Sequence, residues 1–144
     1  MTPEEQAYGI LTYLYGKSNL LINKNNIKVK LNNSKRIRYV YYNNEIVFTL
    51  RNNDGFLLPL FPAYKYIKNF NVYISSEIAN YIKDGKSVPA KYILQLNKNL
   101  RANMEVFVAA SGEVVAVGRL IYSVRELSLG RGYAVKPRAK PPQP

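Results

Sequence analysis

The chain has 144 residues, with 21 Lys or Arg against 9 Asp or Glu, and carries a formal net charge of +12. It contains neither Cys nor His, which excludes disulfides and thiolate or imidazole metal centres, and with them Ser-His-Asp and Cys-His nucleophilic chemistry. Basic residues exceed acidic ones by six in residues 1–70 and by six again in 71–144, so the charge is spread along the chain. That distribution suits a polyanionic partner, although a basic protein with no nucleic-acid role has the same composition.

The length allows one domain of ordinary size or two small ones. No apolar run approaches the roughly 18 residues of a membrane-crossing helix, so no membrane partner is expected. The opening Met1-Thr2-Pro3-Glu4-Glu5 is acidic and lacks a signal-peptide pattern. A cytoplasmic location is the expectation, with no cofactor.

The first element is a helix. Thr2 suits the cap, Pro3 the first helical position and Glu5 the capping-box position. Ala7, Ile10, Leu11 and Leu14 share one face, which reads as core packing, and Tyr13 to Lys17 close the helix. Ile27 to Leu31 alternates apolar and basic residues as a half-buried strand does. After a loop at 32–35, Arg36–Tyr42 and Glu45–Arg51 form two strands around Asn43-Asn44, a pair that tolerates the positive φ of a two-residue hairpin turn. A turn at Asn52 to Gly55 leads to a short strand, Phe56–Leu60. Pro62 starts a short helix carrying Ala63, Tyr66 and Ile67.

The pattern restarts near Asn69. Asn71–Ile74 is a strand, and Ser75 or Ser76 caps a helix that runs to about Lys83 with Ile78, Ala79 and Ile82 inward. Gly85 ends that helix. Tyr92–Leu96 is the next strand, and Glu105–Ala110 pairs with Glu113–Tyr122 through Ser111-Gly112. A helical turn at Val124–Leu127 and a strand at Tyr133–Lys136 follow. Pro137 to Pro144 reads as a mobile basic tail. Many short strands with a few short helices indicate an α+β chain built on small twisted sheets or a partly closed barrel.

Three constellations carry chemistry. Gly85-Lys86-Ser87-Val88-Pro89-Ala90-Lys91 is a basic turn in which Gly85 admits close approach, Lys86 and Lys91 add charge and Ser87 adds a hydroxyl. Read alone, a plain helix end with a solvated loop is the favoured reading. Gly130-Arg131-Gly132 leads a strand in which Arg131 and Lys136 suit phosphates. There Tyr133 either stacks on a base or, the favoured reading, packs inside. Arg138 adds charge from the tail. Gly118 suits close packing, and Arg119 faces either RNA or solvent. The third is Lys35-Arg36-Ile37-Arg38 with Arg51. Arg36 and Arg38, two apart on a strand, point to one face, and Lys35 and Arg51 extend it through the hairpin. A charged strand edge kept for solubility is the alternative.

The order Tyr81-Ile82-Lys83-Asp84-Gly85-Lys86 through Val117-Gly118-Arg119 to Gly130-Arg131-Gly132-Tyr133 resembles the PUA domain. This RNA-binding module is named for pseudouridine synthases and the archaeosine transglycosylase. Ahead of it, Arg36-Ile37-Arg38-Tyr39-Val40 and Thr49-Leu50-Arg51-Asn52-Asn53-Asp54-Gly55 resemble the small domain that precedes the PUA domain in archaeal tRNA-guanine transglycosylases. The resemblance implies a pre-PUA α+β module over 1–69, a PUA-type pseudo-barrel over 70–137 and a tail over 138–144. It also implies contact with RNA, and with tRNA at its acceptor stem and 3′ end; the contact residues expected from the constellations above are Lys35, Arg36, Arg38, Arg51, Gly85, Lys86, Ser87, Lys91, Arg119, Arg131, Tyr133, Lys136 and Arg138. The catalytic barrel, nucleophilic aspartates and Cys-His zinc site of those enzymes have no counterpart here. The expected role is therefore non-catalytic tRNA binding, serving a tRNA-modification enzyme in trans. A protein-interaction module or accessory subunit with minor RNA contact is the alternative.

Overall fold

The structure is a computed structural model that describes residues 1–51, 55–97, 99–122 and 132–139. The expected helical turn at 124–127, Arg131 and residues 140–144 lie outside the described residues. The chain divides into two compact units, Met1–Lys68 and Asn69–Pro144. Among the described residues, no helix is long and apolar enough to cross a membrane.

The first unit opens with α1 (Pro3–Tyr15), where the Thr2 hydroxyl accepts from the Glu5 amide at 3.1 Å. Ala7, Leu11 and Tyr15 are its buried positions. Tyr15, expected to close the helix, is its last residue and also a core residue. Its ring lies 5.8 Å from that of Phe48, and its hydroxyl donates to the Leu57 carbonyl at 2.9 Å. Ile10 and Leu14, expected in the core, are only partly covered, and Tyr13 is 88% exposed. At 3.6 residues per turn, burying Tyr15 rotates the buried stripe away from Ile10 and Leu14.

Four antiparallel strands follow in sequential order: β1 (Ile27–Leu31), β2 (Ile37–Tyr42), β3 (Glu45–Leu50) and β4 (Leu57–Pro59). The β2–β3 hairpin turns on Asn43 and Asn44, both at positive φ (50° and 65°), as a two-residue turn requires. One sheet face carries Ile27, Val40, Tyr42 and Phe48 into the core. Burying a side chain the size of Phe48 contributes roughly 1.5–3 kcal/mol.

The second unit has six strands: β5 (Asn71–Ile74), β6 (Val88–Pro89), β7 (Ile93–Leu96), β8 (Glu105–Ala110), β9 (Glu113–Leu120) and β10 (Tyr133–Ala139). They are ordered β6-β10-β9-β8-β5-β7, with β5 parallel to β8. The two edge strands, β6 and β7, are separated in sequence only by Ala90–Tyr92. Four Cα steps from Pro89 to Ile93 reach at most about 15 Å, whereas a flat six-stranded sheet would hold its edges about 24 Å apart. The sheet must therefore curl until its edges approach, giving a partly closed barrel. A 3-10 turn at Ser76–Ile78 runs into α2 (Ala79–Lys83), with Ile82 fully buried.

Strand β10 corrects the sequence reading. Pro137 to Ala139, expected to be mobile tail, continue the strand beyond Lys136. Pro137 sits opposite Gly118, and a register shift follows before Ala139 pairs with Val117. A bulge of this kind accommodates a residue that cannot donate to the ladder. A Cβ built on Gly118 would lie 2.3 Å from the Lys136 carbonyl oxygen, so only glycine admits β10 here.

Candidate nucleic-acid interface

In the second unit the helix-to-strand turn and the last strand meet. Tyr133 pairs with Pro89 across β10 and β6, and the Ala90 amide donates to the Gly132 carbonyl at 2.9 Å. This pairing forms a cleft of about 610 Å³ that, among the described residues, is lined by Ile78, Tyr81, Pro89, Lys91, Tyr92 and Tyr133 together with Glu77 and Gly132. Tyr81 and Tyr133 are 45% and 51% exposed. The Lys91 ammonium lies 5.2 Å over the Tyr92 ring, so cation and aromatic face are presented together.

Two of the expected contacts, Lys91 and Tyr133, therefore share one cleft. Tyr133, for which core packing was the favoured reading, is half exposed there: its neighbours Ala134 and Val135 take the buried positions. Gly85, at φ 95°, caps α2 by donating its amide to the Ile82 carbonyl at 2.9 Å. Gly85, the exposed Lys86 and the half-buried Ser87 precede β6 and are not part of the cleft wall. Tyr81, Tyr92, Ile78 and Pro89 escaped the sequence reading. Tyr81 sits next to Ile82 and off the buried side of the helix, which is the pattern that marks an exposed aromatic. Tyr92, expected to open a strand, ends a 3-10 turn, and β7 begins at Ile93.

A second cluster runs across the sheet. Glu105, Arg119 and Lys136 are in register on β8, β9 and β10, so their side chains share a face. Arg138, released from the ladder by the bulge, reaches back over β9 to Glu105 with an Nη2–Oε1 distance of 2.7 Å and an Nε–Oε1 distance of 3.0 Å. Arg138 thus belongs to the folded barrel and is engaged with a carboxylate. Arg119 and Lys136 are exposed.

In the first unit Arg36 lies one residue before β2, its amide donating to Asn32 Oδ1 at 3.0 Å and its carbonyl accepting from the Asn32 amide at 2.8 Å. Lys35, between them, takes a positive φ of 61°. The β1–β2 register shifts between Lys30 and Leu31, leaving Arg38 without a direct partner on β1, and its guanidinium lies 5.2 Å over the Tyr39 ring. Strand β3 ends at Leu50, and Arg51 sits 5.0 Å over the ring of Phe56. Asp54 lies outside the described residues.

The chain matches the family "Patch-forming domain C2 of tRNA-guanine transglycosylase" over residues 5–69 and the PUA domain over residues 70–140. It is 34% identical over 114 residues to the tRNA-guanine(15) transglycosylase of Methanothermobacter thermautotrophicus, a match to 74% of this chain and 18% of that protein. With the corresponding protein of Methanococcus maripaludis it shares 35% identity over 134 residues, 82% of this chain and 20% of the relative. The chain thus spans about a fifth of the length of these relatives. Its fold is that of a conserved PUA domain protein from Thermoplasma acidophilum, with a TM-score of 0.74 at 18% identity over 97% of this chain and 91% of that one. The protein is an α+β chain that joins a patch-forming C2 domain to a PUA domain, homologous to the C-terminal part of archaeal tRNA-guanine(15) transglycosylases.

Proposed function

We propose that this protein is a non-catalytic RNA-binding protein of the cytoplasm that grips tRNA at its acceptor stem and 3′ end. The observation that carries the reading is the Tyr81–Tyr92–Tyr133 cleft with Lys91 at its wall. Single-stranded bases stack on exposed aromatic faces, and a nearby ammonium suits their phosphates. Glu77 disfavours a phosphate at its own position and suits the exocyclic amino group of a base, which donates to a carboxylate. Lys86, Arg119, Arg131 and Lys136 would hold the flanking backbone, with shape and charge doing most of the selection. In the first unit Lys35, Arg36, Arg38 and Arg51 would extend the contact, and Gly85 and Ser87 would leave the main chain open to a phosphate. Homology to part of a tRNA-modifying enzyme supports a role in trans beside a catalytic subunit.

The test is a titration of tRNA, tRNA lacking its 3′ single-stranded end, and unstructured RNA over a range of salt. Tight binding that falls about 0.7–0.9 log units per phosphate contact per decade of salt is expected, together with a loss on removing the 3′ end. Equal affinity for unstructured RNA would remove the tRNA assignment.

A second reading, a protein-docking module, is favoured by an apolar groove on the first unit. This groove, of about 430 Å³, is lined by Met1, Ile10, Tyr13, Leu14 and Phe56 around Gly9. It predicts co-purification of a partner enzyme that survives nuclease treatment.

A further inference from the structure

On the first unit, the sheet face opposite the core carries two cross-strand pairs, Lys28 with Tyr41 and Lys30 with Tyr39. Residues directly opposite one another in an antiparallel pair share a face, so two exposed lysines and two half-buried tyrosines form a ladder. The end of this ladder opens into a pocket of about 250 Å³ lined by Lys28 and Tyr41 with four carboxamides, Asn25, Asn26, Asn43 and Asn44. Asn25 and Asn26 come from the 3-10 turn before β1, and Asn43 and Asn44 from the β2–β3 turn. The Asn43 amide donates to the Tyr66 hydroxyl at 3.3 Å. Among the described residues, the side chains of Asn25, Asn26 and Asn44 make no hydrogen bond. Turn geometry accounts for Asn at 43 and 44, but it does not require asparagine at 25 and 26 around the same pocket.

We infer that this pocket and ladder form a second nucleic-acid site, which takes an unpaired base in the asparagine pocket and the adjoining single-stranded backbone along Lys28 and Lys30. Carboxamides offer a donor and an acceptor together, the pairing that base edges present. Tyr41 supplies a stacking face beside them and the lysines supply phosphate contacts. The inference rests on the reading of the chain as an RNA binder. It adds a site that is separate in the fold from the tyrosine cleft of the second unit.

Fluorescence anisotropy of the full chain with single-stranded RNA hexamers, one for each base, tests it against three variants. Asn44→Gly keeps the positive-φ turn; combined with Asn26→Ala it is expected to weaken the best hexamer about fivefold or more and to level the preference among bases. Lys28→Gln with Lys30→Gln is expected to lower the salt slope by about 1.4, at roughly 0.7 per lost contact on a single strand. Lys91→Gln with Tyr133→Ala removes only the other cleft, so residual hexamer binding that still responds to Asn44→Gly supports the second site. Hexamer affinity and slope that depend on Lys91 and Tyr133 alone would overturn the inference and leave the PUA-domain reading standing. Absence of hexamer binding alongside intact tRNA binding would overturn it as well. Failure of both ligands to bind would defeat the RNA reading itself.

Discussion

Pro137 of β10 lies directly opposite Gly118 of β9, so close that a methyl group on Gly118 would fall 2.3 Å from the Lys136 carbonyl oxygen and 2.7 Å from the Pro137 Cα. The strand that carries Tyr133, Lys136 and Arg138 is seated by the absence of one side chain on its neighbour. Gly118→Ala must therefore move β10, since the obstacle is backbone. A loss of roughly 1–3 kcal/mol is expected, as for other overpacked sites, and tRNA affinity should fall with it. Gly9→Ala is the opposite case. Nothing lies within 4 Å of its Cβ position, and it sits inside α1, so the change should stabilise the chain by about 0.5–1 kcal/mol. Urea denaturation of the two variants should show midpoints displaced in opposite directions.

Arg138→Ala removes a two-nitrogen contact to Glu105, whose side chain is only 12% exposed. The expected cost is about 1–2 kcal/mol, between the values for surface and buried ion pairs. A double-mutant cycle with Glu105→Gln isolates the coupling. Additivity of the two single changes would show that the pair contributes nothing.

Lys91 and Tyr133 should fail in different ways. Lys91→Gln is expected to reduce the salt slope of tRNA binding by roughly 0.7–0.9. Tyr133→Ala should weaken binding about ten- to a hundredfold, the range for one stacked base, while leaving the slope in place. Filter binding from low to high salt separates the two. A common effect of both changes on the slope would argue against stacking.

Tyr15→Phe keeps the ring against Phe48 and leaves the buried Leu57 carbonyl without its hydroxyl donor. A loss of roughly 0.5–1.5 kcal/mol is expected. Because the ring is retained, fluorescence-monitored unfolding should remain cooperative with a lower midpoint.

Lys65 is held above its ordinary value of 10.5 by the hydrogen bond from its ammonium to Glu45, against a smaller desolvation effect in the other direction. The folded value is the raised one. The stabilisation from the pair is therefore fully present below the ordinary lysine value and is lost as pH rises through the raised one. The midpoint difference between Lys65→Met and the parent chain should stay flat from about pH 6 to 9, shrink only in strong alkali, and diminish in 1 M salt because the site is exposed.

Local chemistry made much of this protein legible from its residues alone. The Thr2 cap, the Asn43-Asn44 and Ser111-Gly112 turns and the Gly85 helix end depend on neighbours a few positions away, and each reading agrees with the structure. The PUA and preceding-domain resemblance likewise rests on short ordered motifs, and the family matches cover them. Features that depend on distant partners were hidden. Pro137 joins a strand because Gly118, far back in the chain, makes room for it. The Tyr81–Tyr92–Tyr133 cleft exists only because the barrel's edge strands β6 and β7 curl toward each other and β10 pairs along β6. Spacing in sequence reports which residues share a helix face or a strand. Which separate segments converge on one surface is decided by register and by the close contacts that only certain side chains permit.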